Sequence, residues 1–513
     1  MSIASATSVA APRVDLRSTP GTAVADVWWS AAAATAAVLA AVVVSSDCRH
    51  WFVLPVWLCG VLVGVEAVAW FRGRRDLFDP AGLTAVAGWH LFFAAPLLHV
   101  VTQYWMLYVE PPSDWRPWLG RWAWLNVAGL ALYYVIRGFL APTHATPRTA
   151  ELPRSASPRV IDDRRFQIVW LAALGISAAL QALVYLRFGG LGGYIAAFSE
   201  GAEQFAGYGT VFMVSESFPI LFVIAAAWWA RKYPQYRTAP FVFGVLVAFV
   251  ALKIAFGGLR GSRGHLIYGL FWGAGILHCL VHPLSRKALF PAVAALLGFM
   301  YVYGFYKDFG ADALGALTDD RARAGLVDAS PRTFPTLLLG DLARCDVQAY
   351  LLYRMSPERL TGRYAPCRGE TYLGTLALFV PRRFWPDRPP TKIKAGTDAM
   401  FGPHVFTHEM ASTYSYGLAG EALLNFGPIG ALVSFALPAW VVVGLARRRR
   451  ALADDDVRQL LWPFALSVGL MLWVWDSDVL VFYTLKEGLL PAALLWSVSR
   501  PAASLPVVAE TVR

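Results

Sequence analysis

Apolar and polar residues fall into long blocks along this chain. About twelve apolar blocks start near Val27, Trp51, Ala81, Trp118, Phe166, Val211, Pro240, His265, Ala288, Tyr416, Leu460 and Val479. Each approaches the length of about 20 residues that an α-helix needs to cross a hydrocarbon core of about 30 Å. The pattern predicts an all-α polytopic membrane protein with about 12 transmembrane helices and one large extracytoplasmic interruption. Residues 1–25 are expected to be a cytoplasmic, Ala/Ser/Thr-rich tail, and residues 26–306 to hold helices one to nine. Residues 307–410 form the large extracytoplasmic loop, 411–498 hold helices ten to twelve, and 499–513 form a cytoplasmic tail. The first block is too long, and lacks the small-residue cleavage site, for a removed signal peptide, and reads as an uncleaved anchor. The Pro/Arg-rich stretch Thr143 to Arg165 reads as a flexible cytoplasmic linker. The two halves show no matching pair of interrupted helices of the kind carriers use.

Composition supports the membrane class: 57% of the 513 residues are hydrophobic, 15% are charged, 21 are Trp, and the mean hydropathy is +0.48. Orientation follows from Arg and Lys in the short loops. With the N-terminus inside, the cytoplasmic connections are Arg72 to Arg75, Arg148 to Arg165, Arg231 to Arg237, Ser285 to Lys287 and Arg447 to Arg450. Most of the net charge of +11 is then topological, serving insertion and contact with membrane lipids, and gives no reason to invoke nucleic acid. Two basic clusters break the rule by falling outside. They are Leu259 to Gly264 (LRGSRG) and the long loop itself, so function is sought there.

The same topology puts Glu216, Lys253, Arg260, Arg263, Glu421, Asp476, Asp478, Lys486 and Glu487 at outer helix ends or in the outer half, while Glu66 is the clearest charge in the inner half. Charges at this depth line a cavity or pair with each other, and their one-sidedness suggests a cavity open to the outer leaflet. Arg260 and Arg263 stand three apart in a Gly-rich turn before a helix. Guanidinium forks and free helix N–H groups suit a diphosphate; the alternative is two arginines reaching to lipid headgroups. In the long loop, PRRFWPDRPPTKIK sets Arg382 and Arg383 beside Trp385 and several prolines, for contact with sugar and phosphate or with headgroups. His404 and His408 follow, each a candidate general base or a merely solvated side chain. Glu421 and Asn425, four apart in GEALLNFGPIGA, share a helix face, making Glu421 a second base candidate or a partner for Arg260 or Arg263. Asp476 and Asp478 could hold a metal, although a polar turn between helices fits better. Cys59 and Cys279 read as packed thiols, and Cys345 and Cys367 as two free thiols or a bridge across the loop.

A helix followed by GSRG, a long outer loop closing on VPRRFWPDRPP, and then STYSYGLAGEALLNFGPIGA resembles the O-antigen polymerase family, the Wzy-type oligosaccharide repeat-unit polymerases. The motifs cover about Leu259 to Ala431, and the topology covers the whole chain. The resemblance implies a GT-C-like fold in the bacterial plasma membrane. It also implies glycosyl transfer on the extracytoplasmic side, with undecaprenyl-diphosphate-linked oligosaccharide as both donor and acceptor and a chain-length regulator protein as partner. Arg260 and Arg263 would bind the diphosphate, Arg382 and Arg383 would be loop contacts, and Glu421 a site element, with the role of either histidine open. Neither nucleotide nor metal cofactor is required, because a polyprenyl diphosphate is already a good leaving group. Three competitors remain. A polysaccharide ligase needs almost the same site; a GT-C enzyme using a polyprenyl monophosphate sugar would favour an acidic first outer loop, where only Asp47 is available; a flippase would need polar residues in both leaflets.

Overall fold

The computed structural model describes residues 20–140, 158–260, 263–310, 313, 319–329, 333–357, 363–380, 383–407, 410–411 and 414–502. The chain is almost entirely helical. The helices are α1 (Pro20–Val44), α2 (Val53–Phe71), α3 (Pro80–Thr102), α4 (Arg116–Leu140), α5 (Asp163–Arg187), α6 (Gly190–Glu200), α7 (Gly209–Lys232), α8 (Ala239–Ala255), α9 (Arg263–Leu280) and α10 (Arg286–Phe309). After them come α11 (Asp320–Ala329), α12 (Cys345–Met355), α13 (Glu370–Ala377), α14 (Lys392–Phe401), α15 (Gly417–Ser434), α16 (Ala436–Ala451), α17 (Val457–Met471) and α18 (Ser477–Ser497).

Among the described residues, eight helices are long and apolar enough to cross a membrane: α1 to α5, α7, α10 and α18. α15 and α16 would make a ninth span, bent by 46°, while α8, α9 and α17 are shorter apolar helices. Each of the twelve sequence blocks therefore coincides with helix, but four of them lack the length of a straight span. Their outer surfaces carry large apolar side chains, among them Leu39, Phe139, Leu171, Phe243, Ile429 and Trp440. Such an exterior suits lipid rather than water.

Two cores sit side by side. One joins α1 to α4 with α12, α14, α15 and α16; the other joins α5, α7, α8, α9, α17 and α18. Trp70, Phe78, Leu445, Trp462 and Leu466 form a smaller cluster of their own, drawn from α2, the turn before α3, α16 and α17. The insert is not a loop lying on the surface. Its α12 is buried almost throughout and packs on α4 and α15, with the Trp118 and Tyr353 rings 5.4 Å apart edge to face.

The basic connections meet at one face of the bundle. Arg449 lies 3.3 Å from Asp76, His278 lies 3.4 Å from Asp76, Arg231 donates to Asp454 O at 2.9 Å, and Arg286 donates to the Trp70 and Arg75 carbonyls. Glu66 is held there by Arg137 at 2.7 Å and Arg75 at 3.0 Å. A short antiparallel pair, β1 (Arg159–Ile161) with β2 (Ser499–Pro501), ties the end of the expected linker to the expected tail, so neither is free along its whole length. Of the two readings of Cys345 and Cys367, free thiols hold: Cys345 is buried in the core at the start of α12, and Cys367 donates to Leu424 O at 3.5 Å and Asn425 Oδ1 at 3.2 Å.

Sidedness is open to a direct check. All five native thiols are buried or half-buried, whereas Lys394 and Arg450 are exposed. The Arg/Lys asymmetry predicts that Lys394→Cys reacts with a membrane-impermeant thiol reagent in intact cells and that Arg450→Cys reacts only after lysis. The reverse pattern would invert the orientation.

Candidate functional site

The site is organised by two interruptions in the helices. The first is Gly427–Pro428 inside α15, where Gly427 takes φ 70°, ψ −162°. Pro428 has no N–H for the Leu424 carbonyl, and the turn at Gly427 also releases the Asn425 carbonyl. The insert takes both: Cys367 N donates to Leu424 O at 3.0 Å and Arg368 N to Asn425 O at 2.8 Å. The Asn425 side chain continues the junction, accepting from Thr371 N at 3.3 Å and donating to Thr371 Oγ1 at 2.7 Å. A glycine–proline break in a membrane helix thus becomes the seat of α13.

The second interruption separates α17 from α18. Ser477 opens α18, so its N–H has no partner within the helix. Glu421 of α15 supplies one: Oε2 accepts from Ser477 N at 2.6 Å, while Oε1 accepts from Ser477 Oγ at 2.7 Å and Thr371 Oγ1 at 2.8 Å. Glu421 therefore caps α18 from another helix, where the positive end of the helix dipole favours a carboxylate. Beside it Asp476 is fully buried, accepts from Tyr416 N at 2.8 Å and pairs with Lys392 of α14, which also lies 3.6 Å from Asp478. The aspartates thus form a lysine-bound polar turn, and the Lys392 ammonium occupies the position a metal ion would need. Glu421, Asp476 and Asn425 together pin α13 and α14 onto the broken ends of α15 and α18.

Between α13 and α14 opens a cleft of about 210 Å³ lined by Tyr364, Ala365, Cys367, Glu370, Thr371, Pro390, Thr391, Lys394, Ala395, Asp398 and His404. The two elements can approach because residue 374 is glycine: a Cβ there would lie 2.1 Å from Pro390 O. Burial pushes the Tyr364 phenol and the Cys367 thiol up from their ordinary values, so both stay protonated at neutral pH and act as donors. The proton acceptors offered to the cleft are Glu370, Asp398 and His404. His404 is exposed and holds φ 63°, a left-handed conformation that is unfavourable for a side chain with a Cβ. Asp398 Oδ1 accepts from Phe406 N at 3.2 Å and so fixes the turn that carries His404.

A second polar group lies further along α18. At a rise of about 1.5 Å per residue, Lys486 and Glu487 sit about 14 Å beyond Ser477, in a π-helical turn, Thr484–Gly488. Lys486 reaches Glu216 at 2.7 Å and His265 at 3.3 Å; Glu487 takes Lys253 at 2.9 Å and His265 at 2.6 Å. Arg260 pairs with Glu216 and lies 3.6 Å over the Phe212 ring. The donor atoms of Glu216, His265 and Glu487 lie within 4.8 Å of one another, the grouping of a metal site, but Lys486 and Lys253 already stand among them. Three cations face two carboxylates here, which leaves the group net positive.

The structure therefore splits in two the charges expected at the outer side. Arg260 has Glu216 as its partner, not Glu421 as the sequence allowed, because α7 and not α15 packs next to the turn that carries it. It is not among the residues lining the cleft, whereas His404 is, and Glu421 reaches the cleft only through Thr371. Arg383 is exposed on the insert beside Phe384 and Trp385. The Arg263 side chain, Arg382 and His408 lie outside the described residues. Sequence reasoning missed Thr371, Ser477 and His265, and read Lys392 only as one cation of the PRRFWPDRPPTKIK stretch. The Gly427–Pro428 pair was the one signal for the first of these, since a proline inside a membrane helix announces a carbonyl in need of a donor. Compared with known proteins, the chain matches no protein-family model, no curated protein and no solved structure.

Proposed function

We propose that this protein is a membrane glycosyltransferase that polymerises polyprenyl-diphosphate-linked oligosaccharide repeat units at the outer face of a bacterial plasma membrane, as its resemblance to the O-antigen polymerases implies. The observation that carries the reading is the cleft between α13 and α14, a polar pocket built on the ends of membrane helices. It offers carboxylates, hydroxyls and an imidazole where a glycan could enter from water and its lipid carrier from the bilayer.

In this reading an acceptor hydroxyl in the cleft attacks the anomeric carbon of the donor. The new C–O bond forms as the bond to the diphosphate breaks, the hydroxyl proton passes to a base, and polyprenyl diphosphate leaves. His404, expected as a base from the sequence, lines the cleft and is the candidate base, with Glu370 and Asp398 as the other acceptors there. Glu421 is a positioning residue that holds Thr371 and the start of α18. Lys394 lines the cleft and offers a cation to the diphosphate there, whereas Arg260 stands in the separate group with Glu216 and Lys486, so a part for it beside Arg263, Arg382 and Arg383 requires that group to meet the same substrate.

Purified protein given only polyprenyl-diphosphate-linked repeat units is expected to form a ladder of longer lipid-linked glycans and to release polyprenyl diphosphate, with chelator present and no nucleotide sugar. The fixed cations and good leaving group make an external energy source unnecessary. Product formed only on a different acceptor would make the protein a ligase. No product under either condition would remove the glycosyl-transfer reading.

A further inference from the structure

α13 faces two solvents. Thr371, Gly374, Thr375 and Ala377 are buried against α14, α15 and α18, and Thr371 looks into the cleft. The opposite side of the same helix exposes Leu373 and Leu376, and the chain beyond it exposes Phe379, then Phe384 at 77% and Trp385 at 38%. So many large apolar side chains exposed along one short stretch are rare against water. They also run on into a surface already assigned to lipid. The Tyr372 ring stacks on Phe426 of α15 at 6.1 Å, and Phe426 begins the outward stripe that continues through Ile429, at 78% exposed, and Val433. Cations border it: Arg383 is exposed, and Arg388 donates to Val380 O at 3.1 Å and Ala377 O at 3.4 Å, which folds the segment back against the C-terminal end of α13. Apolar side chains on one face with arginines at the margin match a lipid–water interface, where acyl chains and phosphates lie within a side chain's length of each other.

We propose that α13 with residues 378–380 after it, and residues 383–385 further on, lie in the interface of the bilayer, with Leu373, Leu376, Phe379, Phe384 and Trp385 among acyl chains and Arg383 at the phosphate headgroups. The inference rests on α15 spanning the membrane and is independent of the glycosyl-transfer reading. Its consequence is that α13 partitions the cleft from lipid. A molecule with a polar head and a hydrocarbon tail can place the head beside Thr371 and the tail against Leu373 and Leu376 by crossing the width of one helix, about 10 Å.

The test uses the full-length protein in liposomes of phosphatidylcholine and phosphatidylglycerol. With the two half-buried native thiols, Cys279 and Cys367, replaced by serine, a nitroxide attaches selectively to Leu376→Cys, whose side chain is exposed. Its collisions with oxygen, which concentrates in hydrocarbon, are compared with those of a water-soluble nickel chelate. Ile429→Cys on α15 serves as the lipid reference and Lys394→Cys as the aqueous one. The oxygen-to-nickel ratio at Leu376 is expected to stand several-fold above that at Lys394 and close to that at Ile429. A ratio equal to that at Lys394 would place the helix in water. Exclusion of both reagents would mean that protein covers the face, whether a second copy or a partner. Either outcome overturns the proposal, and neither bears on whether the protein polymerises glycans.

Discussion

Lys392→Met is expected to destabilise the protein by about 3–5 kcal/mol, the usual cost of removing one partner from a buried ion pair. Lys392 and Asp476 are 5% and 0% exposed, and Asp478 lies 3.6 Å from the same ammonium. Without it, two carboxylates face each other at the start of α18 with only the Tyr416 N–H to hold Asp476. Asp476→Asn alone leaves Lys392 with Asp478. The double variant Lys392→Met/Asp476→Asn should recover at least half of the loss, since the asparagine carbonyl can still accept from Tyr416 N. Thermal unfolding in detergent, followed for the four proteins of the cycle, measures the coupling. Strictly additive losses would mean that the pair contributes nothing as a pair.

Glu421→Ala should cost about 3 kcal/mol or more, whereas Glu421→Gln should cost about 1 kcal/mol, and glycan polymerisation should follow stability in both. Alanine leaves the buried Ser477 N–H and the hydroxyls of Ser477 and Thr371 without their acceptor, and each unsatisfied buried group costs about 1–3 kcal/mol. Glutamine can keep its carbonyl on Ser477 N, the one donor that cannot turn away, and present its amide to the two hydroxyls, which can rotate to accept. Abolished polymerisation in a stably folded Glu421→Gln protein would instead return Glu421 to the role of general base.

These two substitutions bear on whether the insert acts as a unit with the spans. The same residues that close the α15 and α18 breaks also hold α13 and α14 apart to form the cleft. Loss of either junction is therefore expected to alter the cleft before it alters the lipid-facing helices.

The sequence by itself determined the class, the positions of the long apolar helices and the grouping of basic connections at one face, but not α6 or the helices α11 to α14 of the insert. Those properties are short-range: a run of Leu, Val and Ala is apolar whatever it packs against, and the spacing of Glu421 and Asn425 puts both on one helix face in any context. Hence Arg449, Arg286 and Arg75, read only as inner-loop charge, do gather around Asp76 and the end of α2. Tertiary structure alone decided the partners. Arg260 meets Glu216 from 44 positions away, Lys392 meets Asp476 from 84, and Lys253 meets Glu487 from 234. Such pairs depend on the register of helices whose surfaces carry little pattern, because lipid and neighbouring helix both accept the same apolar residues. Lys392 shows the effect most clearly. In the sequence it is one of several loop cations, and only the fold of α14 onto the broken end of α18 takes it out of water and makes it the partner of a buried carboxylate.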